Sequence, residues 1–90
     1  MNYRIRLHKR VTKVLRNLPQ PVRGIVRQRI DFLGENPYRH PKLDIKKMQG
    51  FDTVYRLRIG KYRLIYEIIE DELVVLIMKV GVRGDVYKET

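Results

Sequence analysis

Two runs of alternating apolar and polar residues, VYRLRI over 54–59 and YRLIYEI over 62–68, are separated only by Gly60-Lys61. A period of two puts successive side chains on opposite faces of a β-strand. A two-residue connection with glycine first fits a tight type II′ hairpin turn. The register follows: residue 59 faces 62, and 58 faces 63. Tyr55, Leu57, Ile59, Tyr62, Leu64 and Tyr66 then share one face, which is the expected core side. Arg56, Arg58, Arg63 and Ile65 share the other.

The rest of the chain reads around this hairpin. Tyr3, Ile5 and Leu7 alternate with Arg4 and Arg6, the pattern of a short N-terminal strand. Val11, Val14, Leu15 and Leu18 follow helical spacing, and Pro19 and Pro21 stop that helix and start the next. Val22, Ile25, Val26, Ile30 and Leu33 mark the second helix, which Gly34, Asn36 and Pro37 end. The short connection implies an antiparallel helix pair. Residues 34–52 read as a loop, extended around Leu43 to Ile45. Glu70, Asp71 and Glu72 form the next turn, Leu73 to Val80 a third strand, and Val86 to Lys88 a short last one. Apolar helix stripes need an apolar sheet face to cover. The expected fold is α+β, with an N-terminal strand and a helical hairpin packed on one face of a four-to-five-stranded antiparallel sheet. Residues 1–90 make one domain.

Charge narrows the function. Twenty Lys and Arg oppose ten Asp and Glu, and no acidic residue precedes Asp31. Polyanions are the natural partners of such a chain, nucleic acid before an anionic membrane. There is no cysteine, which excludes disulfides, thiolate metal sites and a cysteine nucleophile. The N-terminus has no signal-peptide core, and the longest apolar run, Leu73 to Met78, is too short to span a bilayer. These features suit a cytoplasmic protein. His8 and His40 read as surface histidines, and neither metal nor cofactor is expected.

The hairpin places Arg58 directly opposite Arg63, and like charges so placed are destabilising. With the acidic triplet as the second turn, residue 63 pairs with 79, so Lys79 joins that face and Arg83 lies just beyond it. Glu67 is the only evident acidic neighbour. Two readings stand: a solvated face whose long side chains splay in water, or a cradle of guanidiniums for phosphate oxygens. Tyr87 follows closely and reads either as an edge tyrosine or as a platform for an unpaired base. Lys9, Arg10, Lys13 and Arg16 line one helix face, a polar surface able to grip structured RNA by charge alone. Tyr62 and Tyr66 read as core packing.

The series VYRLRIGKYRLIYEI and VVLIMKVGVRGDVY, with KMQG upstream, resembles the RelE/ParE toxin superfamily on its RelE side, over nearly the whole chain. The resemblance implies a toxin of a toxin–antitoxin pair that cuts mRNA in the ribosomal A site without a metal ion. It implies a cognate acidic, RelB-like antitoxin, bound as a heterodimer or heterotetramer. Arg56 and Arg58 stand where the family has sheet lysines, and Arg63 where it has an arginine. Arg83 matches the arginine after the VG break, and Tyr87 the tyrosine that stacks on the substrate base. Lys79, Lys61, Lys9, Arg10 and Lys13 are the further RNA-binding candidates. The segment between Arg83 and Tyr87 is shorter than in the bacterial type. The two arginines at lysine positions do not themselves serve as a general base, because arginine does not give up its proton, and the sequence does not identify which group does. The alternatives are a ParE-like toxin acting on DNA gyrase and a basic RNA-binding module without chemistry.

Overall fold

The computed structural model describes residues 2–82. Two helices cover one face of a five-stranded sheet, and no described helix covers the other. The elements run β1 (Arg4–Leu7), α1 (Lys9–Asn17), α2 (Val22–Glu35), β2 (Asp44–Lys47), β3 (Val54–Ile59), β4 (Tyr62–Ile69), a 3₁₀ turn (Glu70–Glu72) and β5 (Val74–Val82). Their order across the sheet is β1-β5-β4-β3-β2. The expected last strand at Val86 to Lys88 lies outside the described residues.

The hairpin has the expected register, with Ile59 opposite Tyr62 and Arg58 opposite Arg63. Gly60 has φ 58, the left-handed geometry that a tight turn demands and that glycine adopts without strain. The predicted inner face is the core. Leu57, Leu64 and Tyr66 are 0%, 1% and 0% exposed, packed with Val11, Val26, Ile30 and Leu33 from the helices. Tyr55, Ile59 and Tyr62 close the rim of that cluster. The Tyr66 hydroxyl donates to the Pro37 carbonyl at 2.6 Å, which ties the loop after α2 to the sheet.

Three expectations need correction. The sheet is mixed rather than antiparallel, because β1 runs parallel to β5. Alternation reveals which way side chains point but carries no information on a strand's direction. The loop after α2 contains a full edge strand, β2, antiparallel to β3. The third correction concerns register between β4 and β5. Leu73 does not begin the strand; it closes the 3₁₀ turn at φ 54, its N–H bonding to the Glu70 carbonyl at 3.1 Å. That extra residue shifts the pairing, so Ile69 faces Val74.

A bulge then shifts it again. Tyr66 faces Ile77 but Ile65 faces Lys79, so Met78 is the residue without a partner. Arg63 therefore faces Gly81, not residue 79. The bulge has a consequence for side-chain direction. In an uninterrupted strand, Lys79 would point the same way as Ile77, into the core. The extra residue turns Lys79 outward and Val80 inward, a re-aiming that β-bulges commonly perform.

Candidate functional site

The register orders the open face into rows that cross the strands. One row runs Asp44, Arg58, Arg63, Gly81. The next runs Lys46, Arg56, Ile65, Lys79. Beyond them lie Val54, Glu67, Leu76 and Arg6, and then Ile69, Val74 and Arg4. Neighbouring strands are about 4.8 Å apart, so the first two rows concentrate five cations in a small area. The pleat explains the segregation: the same strands that send Leu57, Leu64 and Tyr66 inward must send Arg56, Arg58 and Arg63 outward.

Of the expected site residues, the structure brings together Arg56, Arg58, Arg63 and Lys79. Arg58 is exposed, whereas Arg56, Arg63 and Lys79 are half-buried. Arg83 and Tyr87 lie outside the described residues. Lys61 sits in the turn at the end of this face, its Nζ 5.7 Å from the centre of the Tyr62 ring. Lys9, Arg10 and Lys13 are exposed on α1, in the layer on the opposite side of the sheet, and form a separate surface.

Sequence reasoning missed two members of the first two rows, both on β2, and Arg6 and Arg4 of β1 in the rows beyond. Lys46 stands opposite Arg56 and Asp44 opposite Arg58. Glu67 is therefore not the only acid, and among the described residues Asp44 is the one that meets an arginine of the face. The Arg56 Nη2 donates to the Asp44 carboxylate at 3.5 Å, longer than a good charge-assisted hydrogen bond. Arg56 Nε is buried with no partner among the described residues. The alternation of Asp44 and Lys46 around Ile45 was the available signal, but four residues give it little weight. Glu67 accepts from the Thr53 hydroxyl at 3.1 Å, one row away.

The histidines have structural duties. His8 caps α1, its Nδ1 accepting from the Arg10 backbone N–H at 3.1 Å. His40 is not the surface histidine expected: its side chain is 10% exposed, stacked on Phe32 with ring centres 4.9 Å apart. Its Nδ1 accepts from the Lys42 backbone N–H, which leaves Nε2 to donate to Glu35 at 3.0 Å. Among the described residues no cluster of His, Asp and Glu could hold a metal ion.

A second polar network lies at the far end of the sheet. Glu70 accepts from the hydroxyls of Tyr3, at 2.8 Å, and Tyr38. These bonds lower the Glu70 pKa, Tyr38 contributing most. They raise that of Tyr38, whereas burial is the main cause of the rise at Tyr3. Tyr38 meets Tyr55 edge-on, and Tyr55 stacks on Tyr66. This network fixes the loop from α2 to β2 and so the edge of the cationic face.

With this geometry in hand, likeness to known proteins becomes informative. Residues 3–87 match the family model described as the ParE toxin of the type II toxin–antitoxin system parDE. A putative toxin RelE1 of Methanocaldococcus jannaschii is 39% identical, covering 98% of both chains. The mRNA interferase toxin RelE of Escherichia coli is 30% identical over 99% of this chain and 94% of its own. The archaeal RelE–RelB complex of Pyrococcus horikoshii contains a chain that superposes with a TM-score of 0.81 at 35% identity, covering 93% of this chain and 98% of that one. No helix among the described residues is long and apolar enough to cross a membrane. The chain belongs to the ParE/RelE family of type II toxin–antitoxin toxins.

Proposed function

We propose that the protein is a ribosome-dependent endoribonuclease that cleaves mRNA in the A site, restrained by an acidic, RelB-like antitoxin. The observation that carries this reading is the row of Arg58 and Arg63 beside Arg56 and Lys79, on a sheet face that the helices leave open. The mRNA interferase name of the Escherichia coli relative supports the activity. The archaeal RelE–RelB complex supports the partner.

The chemistry suits the residues. Attack of a ribose 2′-hydroxyl on the adjacent phosphate needs alignment and neutralisation of the charge that builds on phosphorus. Guanidiniums supply that neutralisation through paired hydrogen bonds to phosphate oxygens, without a metal ion. Arg63 and Arg83 bind the reacting phosphate, Arg56 and Arg58 its flanking backbone, and Tyr87 stacks on the nucleotide to orient it. Lys61 extends the cationic surface at the turn. Lys9, Arg10 and Lys13, on the other side of the molecule, suit a separate contact with ribosomal RNA.

A second reading, a gyrase poison, draws on the ParE description of the matching family. Incubating the pure protein with mRNA, with and without ribosomes, and separately with gyrase and supercoiled DNA, distinguishes the two. Cleavage only when ribosomes are present supports the proposal, whereas gyrase-dependent DNA breaks with intact mRNA refute it.

A further inference from the structure

Cleavage by a 2′-hydroxyl needs a group that takes its proton, and arginine is not one. Four side chains in the first three rows of the open face exchange protons more readily: Asp44, Lys46, Glu67 and Lys79. Asp44 stands on the edge strand, two strands from Arg63. Lys46 is exposed on the same edge. Glu67 lies in the row beyond. Lys79 is half-buried on β5, next to the strand that carries Arg63.

Two details of β5 single Lys79 out. The bulge at Met78 is what turns it to the open face, and bulges recur beside active sites where they re-aim a side chain. The residue directly opposite Arg63 is Gly81, which offers no side chain to the face. Glycine within a strand marks a place that a ligand can approach closely. Gly81 is flanked by Arg63 across the strand and by Lys79 two residues along its own. Diagonal neighbours in such a pair lie about 7–8 Å apart, within reach of a lysine side chain.

We propose that Lys79 is a catalytic residue, the acceptor of the 2′-hydroxyl proton, with the scissile phosphate seated over Gly81; this rests on the ribonuclease reading above. The neutral Lys79 Nζ takes the proton as the 2′-oxygen forms its bond to phosphorus. The bond from phosphorus to the 5′-oxygen breaks, and that oxygen leaves with the electron pair and takes a proton from water. The hydroxide so formed returns Lys79 to its neutral state. The products are a 2′,3′-cyclic phosphate and a 5′-hydroxyl, and nothing is oxidised or reduced.

The test is single-turnover cleavage on mRNA-programmed ribosomes across about pH 6 to 8.5, with saturating protein. The wild-type rate should climb with pH across this range. Lys79→Arg keeps the charge but not the exchangeable proton, so RNA affinity should hold while the rate falls ~10²-fold or more and its pH dependence flattens. Added methylamine should partly restore Lys79→Ala, and the rate of Lys46→Arg should keep its dependence on pH. A wild-type pH profile in Lys79→Arg, or a flattened one in Lys46→Arg or Asp44→Asn, overturns the assignment. A wild-type protein that cuts no mRNA at any pH refutes the ribonuclease reading itself.

Discussion

The open face should bind single-stranded RNA with a salt dependence that the structure sets. Its first two rows contain Lys46, Arg56, Arg58, Arg63 and Lys79, and Asp44 cancels one of these through Arg56. About four phosphates are therefore neutralised by the described residues. Single-stranded nucleic acid loses about 0.7 in the log–log slope per neutralised phosphate, so the slope should be about −2.8 or steeper. Between 50 and 200 mM salt the affinity should fall about 50-fold. Asp44→Asn releases the cancelled charge and should steepen the slope to about −3.5, whereas Arg63→Ala should relax it to about −2.1. Fluorescence anisotropy of a short labelled RNA, titrated at several KCl concentrations, measures all three. The reasoning fails if Asp44→Asn leaves the slope unchanged. It also fails if neutralising Lys9, Arg10 and Lys13 together relaxes the slope more than Arg63→Ala does, since that would make the helix surface the binding face.

Other outcomes follow from the packing and the tyrosine network. Tyr66→Phe strands the buried Pro37 carbonyl and should cost about 1–3 kcal/mol in urea unfolding. Leu33→Ala, fully buried near the C-terminal end of α2, should cost about 2–5 kcal/mol by the same assay. Glu70 has a lowered pKa, so its contribution is present above the ordinary value of 4.5 and is lost as the pH falls. Glu70→Gln should therefore flatten the acid limb of a stability-versus-pH curve. Tyr66 has a raised pKa, chiefly from burial, so its contribution is present below the ordinary value of 10.0 and is lost as the pH climbs past it. The wild type should weaken in alkali, and Tyr66→Phe should weaken less steeply there.

The central hairpin was legible because its information is local. Two alternating runs and one glycine determine both the pairing and the faces, so the alternation alone places Arg56, Arg58 and Arg63 on one side of the sheet. Pairing between β4 and β5 depends instead on Leu73 taking up a left-handed conformation and on Met78 bulging out. Neither residue advertises this, since both are ordinary strand formers whose geometry is imposed by the surrounding packing. Lys79 was expected on the open face from a pairing with residue 63, and it is there through two compensating one-residue shifts. Lys46 and Asp44 went unread because β2 is only four residues long and joins the sheet through contacts distant in sequence. The parallel direction of β1 was equally invisible, since the two helices carry the chain from β1 to β2 at the opposite edge and three further strands precede β5.

The pleat that builds the core also forces the charges together. Arg58 and Arg63 face each other because the Gly60-Lys61 turn sets the register that also pairs Leu57 with Leu64. Like charges so placed cost about 0.2–1 kcal/mol, small beside the burial of those two leucines. The fold can therefore tolerate the repulsion without resolving it, and Asp44 answers it only at the sheet's edge, through one long contact. A bound polyanion gains from relieving that repulsion, whether it is an RNA backbone or an acidic protein partner. On the proposed function the two classes of ligand would compete for one face through the same physical force. An antitoxin would then restrain the toxin by its density of negative charge, without mimicking the shape of the substrate.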